Sequence, residues 1–259
     1  MSPDTVRVGV LGCASIAWRR TLPAMAGVPA IRLVAMASRD RAKAESFAAR
    51  FGGEPIDGYE RLLDRDDVDA VYLPLPTGLH REWAARALSA GKHVLSEKPL
   101  ATSFAEASAL VTQARERGLR LWENFMFLYH GQHTAVRKLL ADGVIGELGT
   151  FSAAFGIPPL PDTDVRYRPE LGGGALLDVG VYPIRAAQLF LGEGVEVVGS
   201  ALRRGPARRA QPEPGFGGGE HGQRGCGAAP AGCRWTAPSP RPPITSRWSA
   251  SSSRTVPRS

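Results

Sequence analysis

Four short apolar runs stand out in the first hundred positions: VRVGVL at 6–11, IRLVAMA at 31–37, and the cores of DAVYLPLPTGLH at 69–80 and KHVLSEKPLA at 92–101. Each has the length of a strand, and each is apolar at successive rather than alternate positions, the pattern of a strand covered on both faces. Between them lie stretches with helical spacing, of which RAKAESFAARF at 41–51 is the clearest. Strand and helix in alternation predict an α/β fold built on a doubly wound parallel sheet. The alternation runs to about Leu202 and includes one more strand-like run, Val195 to Ala201.

Beyond that point the texture changes. Residues 201–259 hold 9 Gly and 9 Pro, and their only branched aliphatic residues are Leu202, Ile244 and Val256. Such a segment cannot bury enough apolar surface to offset its ordering entropy, so 203–259 is expected to be a disordered tail. The codons suggest why. Trp has the single codon TGG and Thr begins AC, so Trp235-Thr236 read one base out of phase forces an aspartate, and the same phase carried to Trp248 admits VDRAFTPPADHVPV, a stretch of folded-protein character. We therefore expect a frame shift or truncation near residue 203, which resequencing of the gene would test.

Charge follows the same division. The chain of 259 residues carries a net +7, but residues 1–200 hold 22 basic and 23 acidic side chains, and the excess lies in ten tail arginines. Nothing orders those arginines on one face with aromatics between them, which argues against a nucleic-acid partner. No apolar run approaches the ~20 residues of a membrane span, and the N-terminus has no signal-peptide pattern. Cys13, Cys226 and Cys233 have no metal-ligand spacing, so no metal is expected. The expected setting is the cytoplasm.

The turn after the first run, Gly12-Cys13-Ala14-Ser15-Ile16-Ala17, fits G-x-A-x-x-A, a small-residue version of the dinucleotide fingerprint. Small residues there let backbone approach a pyrophosphate at the start of a helix; a plain strand-to-helix turn has the same spacing. Ser38-Arg39 at the tip of the second run favours the 2′-phosphate of NADP over the free ribose of NAD, while Asp40 reads as the cap of the next helix. Arg19 or Arg20, after Trp18, can meet phosphate or stand in solvent. The tips of the third and fourth runs face the same crevice, which makes Leu75, Pro76, His80, Glu97 and Lys98 candidate cofactor contacts. His80 falls on the same loop, where it reads as a helix-start residue rather than a catalyst. Pro99 restrains Lys98 to extended geometry and so fixes where its ammonium points.

These stretches, together with FGIPPLPDTDVRYRPELGGGALLDVGVYP at 155–183, resemble the family of glucose-fructose oxidoreductase and inositol dehydrogenase, over residues 6 to about 202. Within it they look most like the NDP-hexose 3-ketoreductases of deoxysugar biosynthesis. The resemblance implies a Rossmann domain over 1–124, a second α+β domain around an open, mostly antiparallel sheet, here incomplete over 125–202, and a homo-oligomer formed through that sheet where it is complete. It also implies NADP(H) as cofactor, a nucleotide-linked keto sugar as substrate, and Lys98 reaching the active site.

Asp178 and Tyr182 stand four apart, hence on one face of a helix. Spacing alone suits a buried hydrogen-bonding acid beside a core aromatic just as well as a catalytic pair; the resemblance turns it toward chemistry. Reduction of a ketone leaves an alkoxide that an acid must protonate. Tyr182 is expected to be that donor, made more acidic by the Lys98 cation, with Lys98 stabilising the oxyanion and Asp178 orienting one or both. Gly172 to Gly174 would admit a tight turn beside the substrate, and Asn124, Arg166 and Tyr167 are candidates for holding sugar or diphosphate. The alternatives are an NADP-dependent aldose or dihydrodiol dehydrogenase, and a truncated chain that binds NADP without turnover.

Overall fold

The protein is described here by a computed structural model covering residues 5–192, 194–200 and 232–234. Six parallel strands form one sheet: β1 (Val6–Leu11), β2 (Ile31–Ser38), β3 (Glu54–Asp57), β4 (Ala70–Leu73), β5 (His93–Glu97) and β6 (Leu121–Asn124), in the order β3-β2-β1-β4-β5-β6. The helices between them are α1 (Leu22–Ala26), led in by a π-helical turn at Ala17–Thr21, α2 (Arg41–Phe51), α3 (Glu60–Leu63), α4 (Thr77–Ser89) and α5 (Phe104–Glu116). The expected doubly wound sheet is present.

The continuous apolar runs are explained by two cores, one on each face. Val8 and Val10 of β1, Met36 of β2 and Tyr72 of β4 point to the side covered by Leu22, Met25 and Phe47. Leu11, Ala35, Ala37, Val71 and Leu73 point to the other side, against Leu62, Trp83, Leu88 and Leu110. Asp40 caps α2 as expected, its Oδ1 accepting from the Lys43 amide at 3.3 Å. Strands β3 and β6 were not legible in the pattern, because EPID and LWEN are four residues each and hold charge or proline.

After β6 the chain makes a 3₁₀ turn at Met126–Tyr129 and then α6 (Gly131–Ala141), a short strand β7 (Ser152–Ala154), and α7 (Val181–Leu191) behind a second π-helical turn at Leu176–Gly180. The expected strand at Val195 to Ala201 does not form over its described part, 195–200. A strand persists only where a neighbour takes its backbone groups, and Val197 and Val198 lie exposed instead. Strand β7 pairs antiparallel with β8 (Gly232–Arg234), so these three residues of the expected tail are ordered as strand. The remainder of 203–259 lies outside the described residues.

Candidate active site

The chain runs outward from β1 to β3, returns past β1 to β4, and runs outward again to β6. That reversal leaves a crevice at the carboxyl ends of β1 and β4, where open α/β sheets take their ligands. A cleft of about 820 Å³ opens there, large enough for a substrate and part of a cofactor. One wall is the strand tips; the other is the loop and helix from Phe155 to Tyr182.

The β1 tip is built for close approach. Gly12 has φ +122°, and a Cβ there would fall 2.6 Å from Leu75 Cδ2, so only glycine lets this turn lie against the β4 loop. Ala14, Ser15, Ile16 and Arg19 line the cleft beyond it, whereas Cys13 and Ala17 back the turn from within. Burial pushes the Cys13 thiol up to about 11, which leaves it unreactive as a nucleophile. Arg20 is exposed and outside the lining. Ser38 and Arg39 sit at the neighbouring β2 tip; Ser38 Oγ accepts from the Asp40 amide at 3.1 Å, and exposed Arg39 lies beside the Tyr59 phenol.

Leu75, Pro76, Glu97 and Lys98 line the cleft, whereas Gly12, Ser38, Arg39, His80, Asn124 and Tyr167 are not part of its lining. His80 is buried inside α4, with its ring nitrogens 2.7 Å from Leu75 O and 2.8 Å from Pro99 O. Burial holds its imidazole below the ordinary value, against the pull of those carbonyls. It ties the β4 and β5 tips together from behind and is not part of the cleft lining. Asn124 turns to Glu97, Nδ2 donating to Oε1 at 2.8 Å. The Tyr167 hydroxyl accepts from the Leu160 amide at 3.1 Å and so shapes the loop rather than the cleft.

The three catalytic candidates come together. Lys98 Nζ donates to the Asp178 backbone carbonyl at 2.6 Å and lies 3.3 Å from its Oδ1, while its ammonium stands 4.9 Å above the Tyr182 ring. Asp178 also takes Arg166, whose Nε donates to Oδ2 at 2.8 Å, and Arg166 is shared in turn with Asp164 at 3.2 Å. Asp178 therefore orients two cations at once. The expectation that Lys98 makes Tyr182 more acidic is not met. The ammonium faces the ring rather than the oxygen, and burial, then Glu97 and Asp178, hold the phenol above its usual range; Arg166 is the cation that opposes them.

The Tyr182 ring is fixed edge-on by Phe125 and Phe127 at 5.3 and 5.5 Å, and Phe155 lies 5.1 Å away. Sequence reading passed over Phe155, Ile157, Leu160, Asp164 and Val179 in the cleft wall. Only Asp164 left a trace, an acid two positions before Arg166. The glycines of the 172–174 stretch matter through packing: Gly172 has φ +73°, and a Cβ on it would meet the Gly78 amide nitrogen at 2.5 Å.

A parallel sheet with a crevice at its switch point, where a lysine of one wall meets an acid and a tyrosine of the other, is an arrangement that suits dinucleotide-dependent oxidoreductases. Residues 6–125 match the oxidoreductase family with an NAD-binding Rossmann fold, and residues 133–218 match the GFO/IDH/MocA C-terminal domain. The chain belongs to the GFO/IDH/MocA family. It is 61% identical over 200 residues to a dTDP-3,4-didehydro-2,6-dideoxy-α-D-glucose 3-reductase of Actinomadura kijaniata, covering 77% of this chain and 60% of that one. A reductase of the same name from Saccharopolyspora spinosa is 62% identical over 196 residues, 76% of this chain and 59% of that one. Among solved structures, KijD10, a 3-ketoreductase from A. kijaniata in complex with NADP and TDP-benzene, superposes with a TM-score of 0.74 at 60% identity, over 74% of this chain and 59% of that one. KijD10 has also been solved with one tyrosine changed to phenylalanine and with one lysine changed to alanine or glutamate. The chain thus spans about three fifths of the length of these relatives.

Proposed function

We propose that this chain carries the site of an NADPH-dependent reductase acting on the C3 carbonyl of a nucleotide-linked deoxyhexose in the cytoplasm. The observation that carries the reading is the Lys98–Asp178–Tyr182 group, gathered from a strand tip and a helix 80 residues away, at the mouth of the switch-point cleft. The altered lysine and tyrosine of KijD10 stand as far apart in its sequence as Lys98 and Tyr182 do here. The names of the relatives favour the keto sugar as substrate.

The residues present suit the cofactor. The glycine turn with Ala14, Ser15 and Ile16 would hold its diphosphate, and Ser38 with Arg39 its 2′-phosphate. Bound NADPH supplies the hydride. Tyr182, kept protonated by its surroundings, gives its phenolic proton to the developing oxyanion, and Lys98 offsets that charge from a position set by Asp178. Arg166, on the cleft wall, is the candidate to meet the diphosphate of the sugar.

The test is turnover of NADPH with a dTDP-linked 3-keto-6-deoxyhexose, set beside reduction of NADP⁺ with free aldoses and dihydrodiols. Consumption of NADPH with the nucleotide sugar alone supports the proposal. Turnover only in the oxidative direction with free substrates would replace it by a dehydrogenase, and tight NADPH binding without turnover on any substrate by a binding protein.

A further inference from the structure

Below the cleft floor, four polar side chains from four elements form a line that the reaction above does not use. Tyr72 of β4 is fully buried, and its phenolic oxygen lies 2.7 Å from Glu97 Oε1 and 2.9 Å from Thr21 Oγ1. Asn124 Nδ2 donates to the same Glu97 oxygen at 2.8 Å. A carboxylate only accepts, so the single phenolic proton goes to Glu97 and the Thr21 hydroxyl donates to the phenol oxygen. Burial first, and then the Glu97 charge, hold the Tyr72 phenol far above its ordinary value, so this donor stays protonated.

The result is one-sided. Glu97 Oε1 takes two donors, whereas Oε2 has no hydrogen-bond partner among the described residues, and Glu97, itself 7% exposed, lines the cleft. A buried carboxylate fixed from behind and free on one oxygen is a receptor for a hydroxyl or amide donor. The ends of the line are also telling. Thr21 closes the π-helical turn that follows the Gly12 turn, and Glu97 directly precedes Lys98.

We propose that Tyr72, backed by Thr21, is a positioning residue that holds Glu97 with its second oxygen presented to the nicotinamide-ribose half of the cofactor. This rests on the cofactor assignment made above. Tyr72 touches no ligand, and its action passes through Glu97.

The experiment compares two ligands on the full chain: NADPH, which reaches Glu97, and 2′,5′-ADP, which carries only the adenosine end. Tyr72→Phe keeps the shape and removes one charge-assisted donor, so the NADPH Kd should rise about tenfold while that of 2′,5′-ADP stays within about twofold. In a Glu97→Gln background the same change should add less than about twofold, because a residue acting through Glu97 has nothing left to act on. Should Tyr72→Phe fail to fold, Thr21→Val carries the same comparison, with an expected rise in NADPH Kd of about threefold. The proposal is overturned if the folded variant binds NADPH as the parent does, if both ligands weaken alike, or if the two substitutions multiply. A parent chain that binds neither ligand refutes the cofactor assignment instead.

Discussion

At the scale of single residues, the site depends on which charge faces which atom. Lys98 lies over the Tyr182 ring and is held by Asp178, and in the proposed mechanism its cation serves the oxyanion rather than the phenol. Replacing Tyr182 by Phe should lower kcat by about 10²- to 10⁴-fold while the NADPH Kd moves less than about twofold, as fluorescence titration and steady-state rates would show. The direction of the Tyr182 shift sets a pH dependence. A phenol held above its usual range keeps its proton through neutral pH, so the reductive rate should show no loss from phenol ionisation below about pH 10. A rate that falls between pH 7 and 9 and loses that limb in Tyr182→Phe would mean the phenol titrates far lower than its surroundings dictate. Single residues are also where sequence reading fell short. The lysine, acid and tyrosine that meet at the cleft were legible in the sequence as candidates, but Tyr72, Thr21 and the inward turn of Asn124 were not, because their partners lie 25 to 51 residues away.

At the scale of elements, local chemistry fixes how the strand tips are presented. The Gly12 turn brings β1 against the β4 loop, and Gly12→Ala would both adopt a strained φ and drive a methyl into Leu75. Urea unfolding should show a loss of more than about 1 kcal/mol, with weaker NADPH binding beside it. The start of β1 is tied to the start of β4 through Arg7, whose Nη2 reaches Asp69 Oδ1 at 2.6 Å and which holds the Asp69 carboxyl down at about 2. A depressed folded pKa gives stability that is present above the unfolded value near 4 and fades as pH falls toward 2. Asp69→Asn should therefore lower the Tm at pH 6 and make little difference at pH 2. The strands that carry these tips were legible because each is apolar on both faces. Strands β3 and β6 were missed because four residues at a sheet margin need little hydrophobic signal to pair.

At the scale of the whole molecule, the parallel-sheet half and the 155–182 wall are joined by few polar links among the described residues, chiefly Lys98 to Asp178. Lys98→Met leaves Asp178 with Arg166 alone and cuts that link, so hydrogen exchange along α7 should quicken while the amides of β1 and β4 keep their protection. Equal quickening in both regions would show that one cooperative unit spans the cleft. Here the sequence was least informative. The break in texture near residue 203 was plain, but which partner strand β7 would find was not, since a three-residue strand has almost no preference of its own.

The contact between Gly78 and Gly172 has a consequence for how such a cleft changes its substrate. Backbone meets backbone there with no room for a side chain on either side of the contact. One jaw of the cleft is thus set by peptide geometry and cannot be adjusted by exchanging residues. Further along the same wall, Phe155, Ile157 and Leu160 meet the opening. Reshaping the cleft is therefore a matter for those three positions, and a library confined to them samples the part of its shape that side chains set.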